Sequence, residues 1–389
     1  LGARKILPPT QTVDLIHNPL GTPLKRAYTT GFLYSDCWVD DSRLVVLNAL
    51  DAAERGASIR THTRCVRAER NEVWRLILNA RGRREAVTAR ALVNAAGPWV
   101  GFVSETVVRL PGPARVRLVK GSHIVVKRLF DHDTGYIVQT PDRRVVIAVP
   151  FERDYTLIGT TDENFQGDPA DVSPSGAEIA YLCDTASRYF RTPVTPDDIV
   201  HAFAGVRALY DDGSKRPEDV TRDYHLAFDK PFGQAPLLTV YGGKITTYRR
   251  LAEAAMTKLA DIFPPTWPWT AQAPLPGGDF PHDGVDAQIE KARRAWPFLE
   301  ASHAGRLVRA YGTRIADVLG TADNYDALGT RFGADLTEAE VRYLMQKEWA
   351  ATAEDVLWRR TKLGLRFTEI ERAALQRFMT PLPALKVVT

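Results

Sequence analysis

Three residues with side chains suited to phosphate and proton chemistry lie in or beside runs that otherwise predict β-strands. His123 lies in Lys120-Gly121-Ser122-His123, Arg207 ends a later run, and Arg222 follows in Thr221-Arg222-Asp223-Tyr224. Because a guanidinium binds phosphate through paired hydrogen bonds, Arg207 and Arg222 would suit a phosphorylated substrate. His123 would be a base for a hydroxyl proton, since imidazole titrates near neutral pH. Taken singly, the histidine equally fits a buried structural role, and each arginine a surface ion pair.

A second constellation is Gly242-Gly243-Lys244, which stands between a predicted strand and a predicted helix. A strand end, two glycines and a helix start place several backbone N–H groups at one point, where they attract negative charge. Lys244 adds a positive charge to the same place. The alternative is an ordinary tight turn with a solvated lysine.

A third constellation is the apolar run from Leu92 that ends in Asn94-Ala95-Ala96-Gly97-Pro98-Trp99. Small residues at the end of a buried strand let a large flat ligand approach the backbone closely. On its own, this segment equally fits a strand that ends in a Gly-Pro turn.

Helices are predicted at three places that would support these constellations. One covers 42–55, since Asp40 and Asp41 precede it and a glycine follows it. Another begins at Ser173, with a proline in its first position. A third covers 246–262, directly after the glycine pair.

Alternating and continuous apolar runs predict the strands between these helices. In chain order they cover 58–63, 73–78, 91–96, 116–126, 136–138, 144–149, 155–160, 199–209 and 236–241. From about residue 285 onward the pattern predicts helices with little β-structure. The order indicates an interrupted α/β domain, a β-rich insertion and a helical C-terminal module.

Composition excludes several classes of protein. The 389 residues are 44% hydrophobic and 25% charged, which is typical of a globular chain of roughly two or three domains. The net charge of +4 is spread along the chain, so no concentrated basic stripe favours nucleic-acid binding. Three widely spaced cysteines argue against a disulfide framework and against a zinc site. We therefore expect no metal, and a cytoplasmic location.

Taken together, these segments resemble the FAD-dependent glycerol-3-phosphate dehydrogenases of bacteria and mitochondria. The strings that carry the resemblance stand in family order along essentially the whole chain. They are YSDCWVDDSRL from Tyr34, VNAAGPW from Val93, KGSHIVV from Lys120, IGTTD from Ile158, GVR from Gly205, TRDY from Thr221, GGKITTY from Gly242, LPGG from Leu275 and LWRRTK from Leu357. Any single string is weakly specific, whereas nine in register are not.

The resemblance implies an α/β fold with a β-rich inserted substrate domain, similar to D-amino-acid oxidase, and an all-α C-terminal domain. We expect the FAD-binding domain at 1–105 and 236–263, the substrate-binding domain at 106–235 and the helical domain at 264–389. The implied reaction is oxidation of sn-glycerol 3-phosphate to dihydroxyacetone phosphate, with hydride passing to flavin N5 and electrons passing to a quinone. It also implies a tendency to dimerise and leaves peripheral contact with the inner face of the cytoplasmic membrane open.

The resemblance also implies roles for residues of this chain. Arg207, Arg222 and His123 match the active-site arginines and histidine, and Lys244 lies where substrate and flavin meet. The cofactor contacts would come from Cys65 and Val66 at the adenine, from Ala96, Gly97 and Trp99, and from Gly243, Lys244, Ile245, Thr246 and Thr247 at the flavin ring.

One departure from the family pattern concerns the pyrophosphate of the cofactor. The family opens with a strand, a Gly-x-Gly-x-x-Gly turn and a helix that bind it. No such motif occurs in this sequence, which starts at Leu1. We therefore expect weak or absent FAD binding by these 389 residues alone.

Two alternatives remain open at this point. One is another flavin oxidase of the same superfamily that acts on an amino acid or a hydroxy acid; the pair Arg207 and Arg222 favours a phosphate substrate instead. The other is a catalytically inactive remnant that binds a partner, which the absent fingerprint motivates.

Overall fold

A computed structural model describes residues 7–110, 116–211, 223–264 and 267–380. The described residues form two compact units. The first unit draws on Leu1–Cys37 and His62–Pro268, and the second on Trp38–Thr61 and Trp269–Thr389.

Strands and helices follow one another along the chain as the sequence patterns broadly predict. The strands are β1 (Gln11–Asp14), β2 (Thr30–Leu33), β3 (Thr63–Arg70), β4 (Trp74–Ala80), β5 (Arg83–Ala89), β6 (Leu92–Asn94), β7 (Val116–Lys127), β8 (Tyr136–Gln139), β9 (Val145–Phe151), β10 (Tyr155–Gly159), β11 (Glu163–Asn164), β12 (Ile199–Tyr210), β13 (Tyr224–Asp229), β14 (Leu237–Gly242), β15 (Arg331–Gly333) and β16 (Leu336–Thr337). The helices are α1 (Asp41–Glu54), α2 (Val100–Phe102), α3 (Gly176–Tyr189), α4 (Tyr248–Lys258), α5 (Val285–Ala295), α6 (Ala301–Tyr311), α7 (Ile315–Leu319), α8 (Glu338–Lys347) and α9 (Glu369–Met379).

The largest sheet of the first unit is built around β7. Its strands run in the order β11-β7-β10-β9-β8, and β12 also pairs with β7 along its whole length. Alternate side chains of β7, such as Ile124 and Val126, join α3 in one apolar core. The long apolar runs of β7 and β12 thus form a sheet with α3 on one face.

Helix α3 begins later than its sequence pattern predicts. The predicted start was Ser173, but Ser175 is the N-cap and the helix runs from Gly176. The reason is a capping box, in which Ser175 Oγ accepts from the Glu178 N–H and the Glu178 side chain accepts from the Ser175 N–H. The apolar face of α3 packs on the sheet, and Leu182 and Ala186 are buried there.

The described part of the first unit also contains the antiparallel pair β1-β2 and two three-stranded sheets. One has the order β13-β14-β6, with β14 antiparallel to β13 and parallel to β6. The other is the antiparallel meander β3-β4-β5. The strand predicted at 58–63 is wrong, because His62 adopts a left-handed φ of 52° and the strand starts only at Thr63.

The second unit packs its helices around a core that includes Leu307, Leu336, Leu344 and Leu357. It is mostly helical, and it also contains the small hairpin β15-β16, which the all-α expectation did not include.

Helix α1 belongs to this second unit, although residues 1–105 were expected to form part of the flavin domain. Arg43 on α1 is 6% exposed, and its guanidinium binds both carboxylate oxygens of Glu348, which is fully buried. Arg43 Nη2 also donates to the Ala310 carbonyl at 2.9 Å. This long-range ion pair attaches α1 to the rest of the second unit, and no local sequence pattern indicates it.

Among the residues that the structure describes, no helix is both long and apolar enough to cross a bilayer.

Candidate active site

His123 and Arg207 lie on the same face of the β7–β12 ribbon. Phe203 pairs with His123, Gly205 with Gly121, and Arg207 with Val119. Because directly opposed residues of an antiparallel pair project their side chains to the same side, these six share one face. The strand alternation places that face opposite the one that packs on α3. The ribbon thus brings together two of the three predicted catalytic residues.

Between these residues the face carries two opposed glycines. A Cβ at Gly205 would meet no atom within 4 Å. A Cβ at Gly121 would lie 2.5 Å from Thr160 Oγ1 and 3.1 Å from Arg207 Nη2. Thr160 and Arg207 therefore fill the space beside Gly121, which is buried, whereas the exposed Gly205 leaves a gap in the side-chain layer between Phe203 and Arg207. A small substrate or the edge of a flat ring could enter this gap.

The imidazole of His123 is held between two neighbouring strands. On one side it stacks on Phe203, with ring centroids 5.1 Å apart and an interplanar angle of 9°. On the other side lies Gly159 of β10, where a Cβ would come within 2.1 Å of His123 Cδ2. Only glycine at 159 lets the ring occupy this position. Neither Phe203 nor Gly159 was predicted as a site residue.

Arg207 is oriented by the connection between β10 and β11. Its Nη1 pairs with Asp162 Oδ1, and its Nη2 donates to Thr160 Oγ1 at 3.4 Å. The arginine is about one-third exposed, so the guanidinium is held while one side remains open to solvent. Arg222, the second predicted arginine, lies outside the described residues.

The end of β12 brings Arg207 close to the predicted flavin segments. Tyr210 of β12 stacks on His225 of β13 at a centroid distance of 4.7 Å. A Cβ at Gly242 would lie 3.2 Å from the Tyr210 backbone nitrogen. Strand β12 also packs against the turn Gly97–Trp99. Strand β12 thus contacts two further segments that were singled out in the sequence, the turn after β14 and the turn after β6.

The glycine pair after β14 forms a sharp turn. Gly242 and Gly243 have φ values of 68° and 97°, which favour glycine strongly over other residues. Lys244 is then exposed and precedes the 3-10 turn Ile245–Thr247, which leads into α4. Lys244, Ile245 and Thr246 are exposed, whereas Gly243 and Thr247 are half-buried.

The turn after β6 is held by one buried amide. Asn94 is 3% exposed, and its Nδ2 donates to the Val100 carbonyl at 3.0 Å, while its Oδ1 accepts from the Ala96 N–H at 3.3 Å. Gly97 has open space where a Cβ would lie. Trp99 Nε1 donates to Asp168 Oδ1 at 3.0 Å, which ties this turn to the loop after β11. Because β6 and β14 are parallel, both turns leave the same edge of their sheet.

Cys65 and Val66 lie in the separate β3-β4-β5 sheet. The pairing of β3 with β4 shifts between Cys65 and Arg67, so Val66 is the extra residue of a bulge. Burial raises the pKa of the Cys65 thiol, which donates to the Arg67 carbonyl at 3.6 Å. The predicted role of these two residues at the adenine stays a prediction.

Sequence reasoning missed the residues that hold the site together. Thr160 and Asp162 lie within the string IGTTD, and Phe203 lies two residues before GVR, but their contacts depend on strand register. The spacing of Phe203 and Arg207, two residues on either side of Gly205, was the available signal. An even spacing places all three side chains on one face of a strand.

Comparison with known proteins assigns the family. Residues 1–249 match the family described as FAD dependent oxidoreductase, and residues 268–382 match the C-terminal domain of alpha-glycerophosphate oxidase. The chain is 48% identical to D-erythritol 1-phosphate dehydrogenase of Brucella abortus, with 96% of this chain and 75% of that protein covered. It is 44% identical to glycerol-3-phosphate dehydrogenase of Pseudomonas aeruginosa, with 97% and 74% covered. The corresponding values for aerobic glycerol-3-phosphate dehydrogenase of Escherichia coli are 42%, 94% and 73%.

The fold is also similar to a solved structure. Glycerol-3-phosphate dehydrogenase of Bacillus halodurans, crystallised with FAD, superposes with a TM-score of 0.72, covering 97% of this chain and 84% of that one at 22% identity. The predicted fold class and cofactor are thereby confirmed. The chain belongs to the FAD-dependent oxidoreductase family that includes the glycerol-3-phosphate dehydrogenases.

Proposed function

We propose that this protein oxidises sn-glycerol 3-phosphate at C2 to dihydroxyacetone phosphate. The observation that carries the proposal is the gap at Gly205, which has Phe203 and its partner His123 at one end and Arg207 at the other. A three-carbon phosphate ester needs a cation at its phosphate and a base at its hydroxyl, and these residue types are placed accordingly.

The residues around the gap support FAD as the redox group. The two turns at the carboxyl ends of β6 and β14 leave open space at Gly97 and exposed residues at 244–246, where a flat ring could approach the chain. FAD, when bound, supplies the hydride acceptor at N5. Lys244 and the N–H groups at the start of the following helix would stabilise negative charge on the ring.

The protein's own residues would do the remaining work. Arg207, fixed by Asp162 and Thr160, would bind the phosphate and orient the substrate. His123, held between Phe203 and Gly159, would take the C2 hydroxyl proton as hydride leaves that carbon. Arg222 is proposed as the second phosphate ligand on the resemblance alone.

A second candidate substrate is a four-carbon polyol phosphate. The similarity to a protein named D-erythritol 1-phosphate dehydrogenase, at 48% identity, favours it specifically. The chemistry at the reacting carbon and at the phosphate would be the same, and the substrate would be one carbon longer. The two candidate substrates therefore differ in the space that they require in the gap, and not in the protein residues that would act on them.

The first experiment is a visible spectrum of the purified protein with added FAD, followed by anaerobic titration. The substrates are sn-glycerol 3-phosphate, D-erythritol 1-phosphate, unphosphorylated glycerol, lactate and alanine. We expect flavin bleaching by glycerol 3-phosphate and formation of dihydroxyacetone phosphate. Faster bleaching by the tetritol phosphate would select the second candidate. Bleaching by the amino acid or the hydroxy acid alone would reject both. Absent FAD uptake would agree with the missing Gly-x-Gly-x-x-Gly motif, and uptake followed by bleaching would reject the inactive remnant.

We further propose a quinone as the electron acceptor and peripheral contact with the inner face of the cytoplasmic membrane. Both rest on the family resemblance. Reduction of a water-soluble quinone by the substrate-reduced protein, and sedimentation with anionic lipid vesicles, are the measurements that test them. Size-exclusion chromatography with light scattering tests the dimer that the resemblance implies.

A further inference from the structure

Glu178 is a buried carboxylate on the face of the sheet opposite to His123 and Arg207. Its side chain is 1% exposed and accepts five hydrogen bonds. Oε2 accepts from the Ser175 N–H at 2.9 Å, from Ser175 Oγ at 2.8 Å and from Lys120 Nζ at 2.6 Å. Oε1 accepts from Ser122 Oγ and from Thr161 Oγ1, each at 2.8 Å.

The N-terminal capping of α3 uses only one of the two carboxylate oxygens of Glu178. The capping box at α9 shows what the helix needs, since Glu371 Oε2 accepts from the Thr368 N–H at 2.7 Å and from Thr368 Oγ at 2.9 Å. In α3 the corresponding contacts all go to Glu178 Oε2. Oε1 instead binds β7 and the connection between β10 and β11, so this oxygen has a role outside the helix.

The contact of Glu178 with Thr161 bears on the candidate site because successive side chains of the segment Thr160–Asp162 point to opposite faces of the sheet. Thr161 is 1% exposed and points towards α3, while Thr160 and Asp162 on either side of it contact Arg207 on the opposite face. Thr161 Oγ1 also accepts from the Ser122 N–H at 2.9 Å, which fixes its hydroxyl from two sides. Rotation or displacement of Thr161 would move both partners of the guanidinium.

We propose that Glu178 is a positioning residue for Arg207, and that it acts by holding Thr161 and thereby the segment Thr160–Asp162. The role of Arg207 in phosphate binding rests on the function proposed above. Glu178 itself contacts neither substrate nor cofactor, because the sheet lies between it and the gap. Precise placement of a phosphate-binding arginine requires such support, since its long side chain otherwise samples many rotamers.

The test compares Glu178→Gln and Thr161→Val with variants that disturb capping alone. Ser175→Ala removes one hydrogen bond to Glu178 Oε2 and the cap bond from the Glu178 N–H, but leaves both contacts of Oε1. Glu371→Gln makes the carboxylate-to-amide change in the capping box of α9. Thr161→Ser retains the hydroxyl and is the rescue variant. Thermal unfolding of each variant shows that it is folded before any comparison.

The first measurement is independent of turnover. The rate at which phenylglyoxal modifies Arg207 is followed by mass spectrometry, and inorganic phosphate is titrated as a protecting ligand. Loss of one hydrogen bond to a charged group predicts protection by phosphate that is about 10-fold weaker in Glu178→Gln and Thr161→Val. Ser175→Ala, Glu371→Gln and Thr161→Ser should resemble the unmodified sequence.

The second measurement is steady-state kinetics with sn-glycerol 3-phosphate. We expect KM to rise about 10-fold in both test variants, with a much smaller effect on kcat, because phosphate binding and not the chemical step is disturbed. Unchanged Arg207 protection in both test variants, or an equal loss in Ser175→Ala, would overturn the proposal. If the protein is not reduced by glycerol 3-phosphate, the proposed function fails, while the Arg207 measurement still decides the positioning role.

Discussion

Phe203 stacks in parallel on the imidazole of His123, at a centroid distance of 5.1 Å, and the two residues are direct partners across the β7–β12 pair. Phe203 is 39% exposed, so it does not serve the core and instead covers one side of the ring. The stacking and Gly159 on the other side restrict the imidazole to a narrow slot. The two residues are therefore expected to act together.

Substitution of His123 tests its role as the base. His123→Gln should lower kcat by about 100-fold to 10,000-fold, because a positioned general base typically contributes that much. Phe203→Leu should lower it by only about 2-fold to 10-fold, the value of an aromatic pair. Rapid-mixing measurement of flavin reduction checks both. Phe298→Leu, which breaks a ring contact with Tyr325 in the second unit, is the matched control. Equal effects of all three variants would contradict the assignment.

Substitution of Gly159 tests the position of the ring. A Cβ at this residue would lie 2.1 Å from His123 Cδ2, so Gly159→Ala must displace the imidazole. We expect kcat to fall by about 10-fold to 100-fold, since small misplacements of a reacting group are costly. Gly205→Ala is the comparison, because its Cβ meets no protein atom and projects into the gap. It should raise KM more than it lowers kcat, and the opposite pattern would place the substrate elsewhere.

Replacement of Arg207 by lysine separates phosphate recognition from charge. Lysine retains the charge and loses the paired N–H groups. Arg207→Lys should raise KM for glycerol 3-phosphate by about 10-fold to 100-fold and leave the weak reaction with unphosphorylated glycerol unchanged. Arg117→Lys is the control, since Arg117 lies on the same strand face and donates from Nε to Asn164 at 2.9 Å. A matching loss with glycerol would show that Arg207 does not bind phosphate.

Acid should weaken the first unit through Glu178. Burial opposes its ionisation, but hydrogen bonds from Lys120, Ser175, Thr161 and Ser122 outweigh it and lower the pKa to about 2 from the ordinary 4.5. A depressed pKa means that the stabilisation is complete above about pH 4.5 and is lost as the pH falls towards 2, by up to about 3 kcal/mol.

Urea unfolding between about pH 6 and about pH 3 measures this dependence. In Glu178→Gln the acid-dependent loss of stability should be smaller by about 2 kcal/mol, the part of the change that occurs above pH 3, whereas in Glu371→Gln it should persist. The same pH dependence in Glu178→Gln and in the unmodified sequence would assign the effect to other carboxylates.

The buried pair Arg43–Glu348 should stabilise the second unit strongly. Arg43→Met leaves Glu348 buried without its main partner, and we expect a loss of about 3–5 kcal/mol in the free energy of unfolding. Arg342→Met breaks an exposed pair with Glu338 one helical turn away and should cost less than about 1 kcal/mol. Urea unfolding monitored by circular dichroism measures both. Similar losses in the two variants would mean that burial of the Arg43 pair contributes nothing.

Several features of this protein could be predicted from the sequence because their causes are local. Asp40 caps α1 by accepting from the Arg43 N–H three residues later, and the alternation of apolar residues marks β7 and β12. The turn after β14 needs two adjacent glycines at positive φ, which is also a local requirement. The order of the family strings then predicted the fold and the cofactor, which the comparisons confirm.

Other features depend on which segments meet, and the tertiary structure alone decides them. The register of β12 against β7 places Gly205 opposite Gly121 and Phe203 on His123. These two strands are far apart in the chain. The contact of Glu178 with Thr161 depends on how α3 packs on its sheet, and the pair Arg43–Glu348 joins residues 305 positions apart. Local propensity carries no information about such pairings, because they are selected by the packing of whole elements against each other.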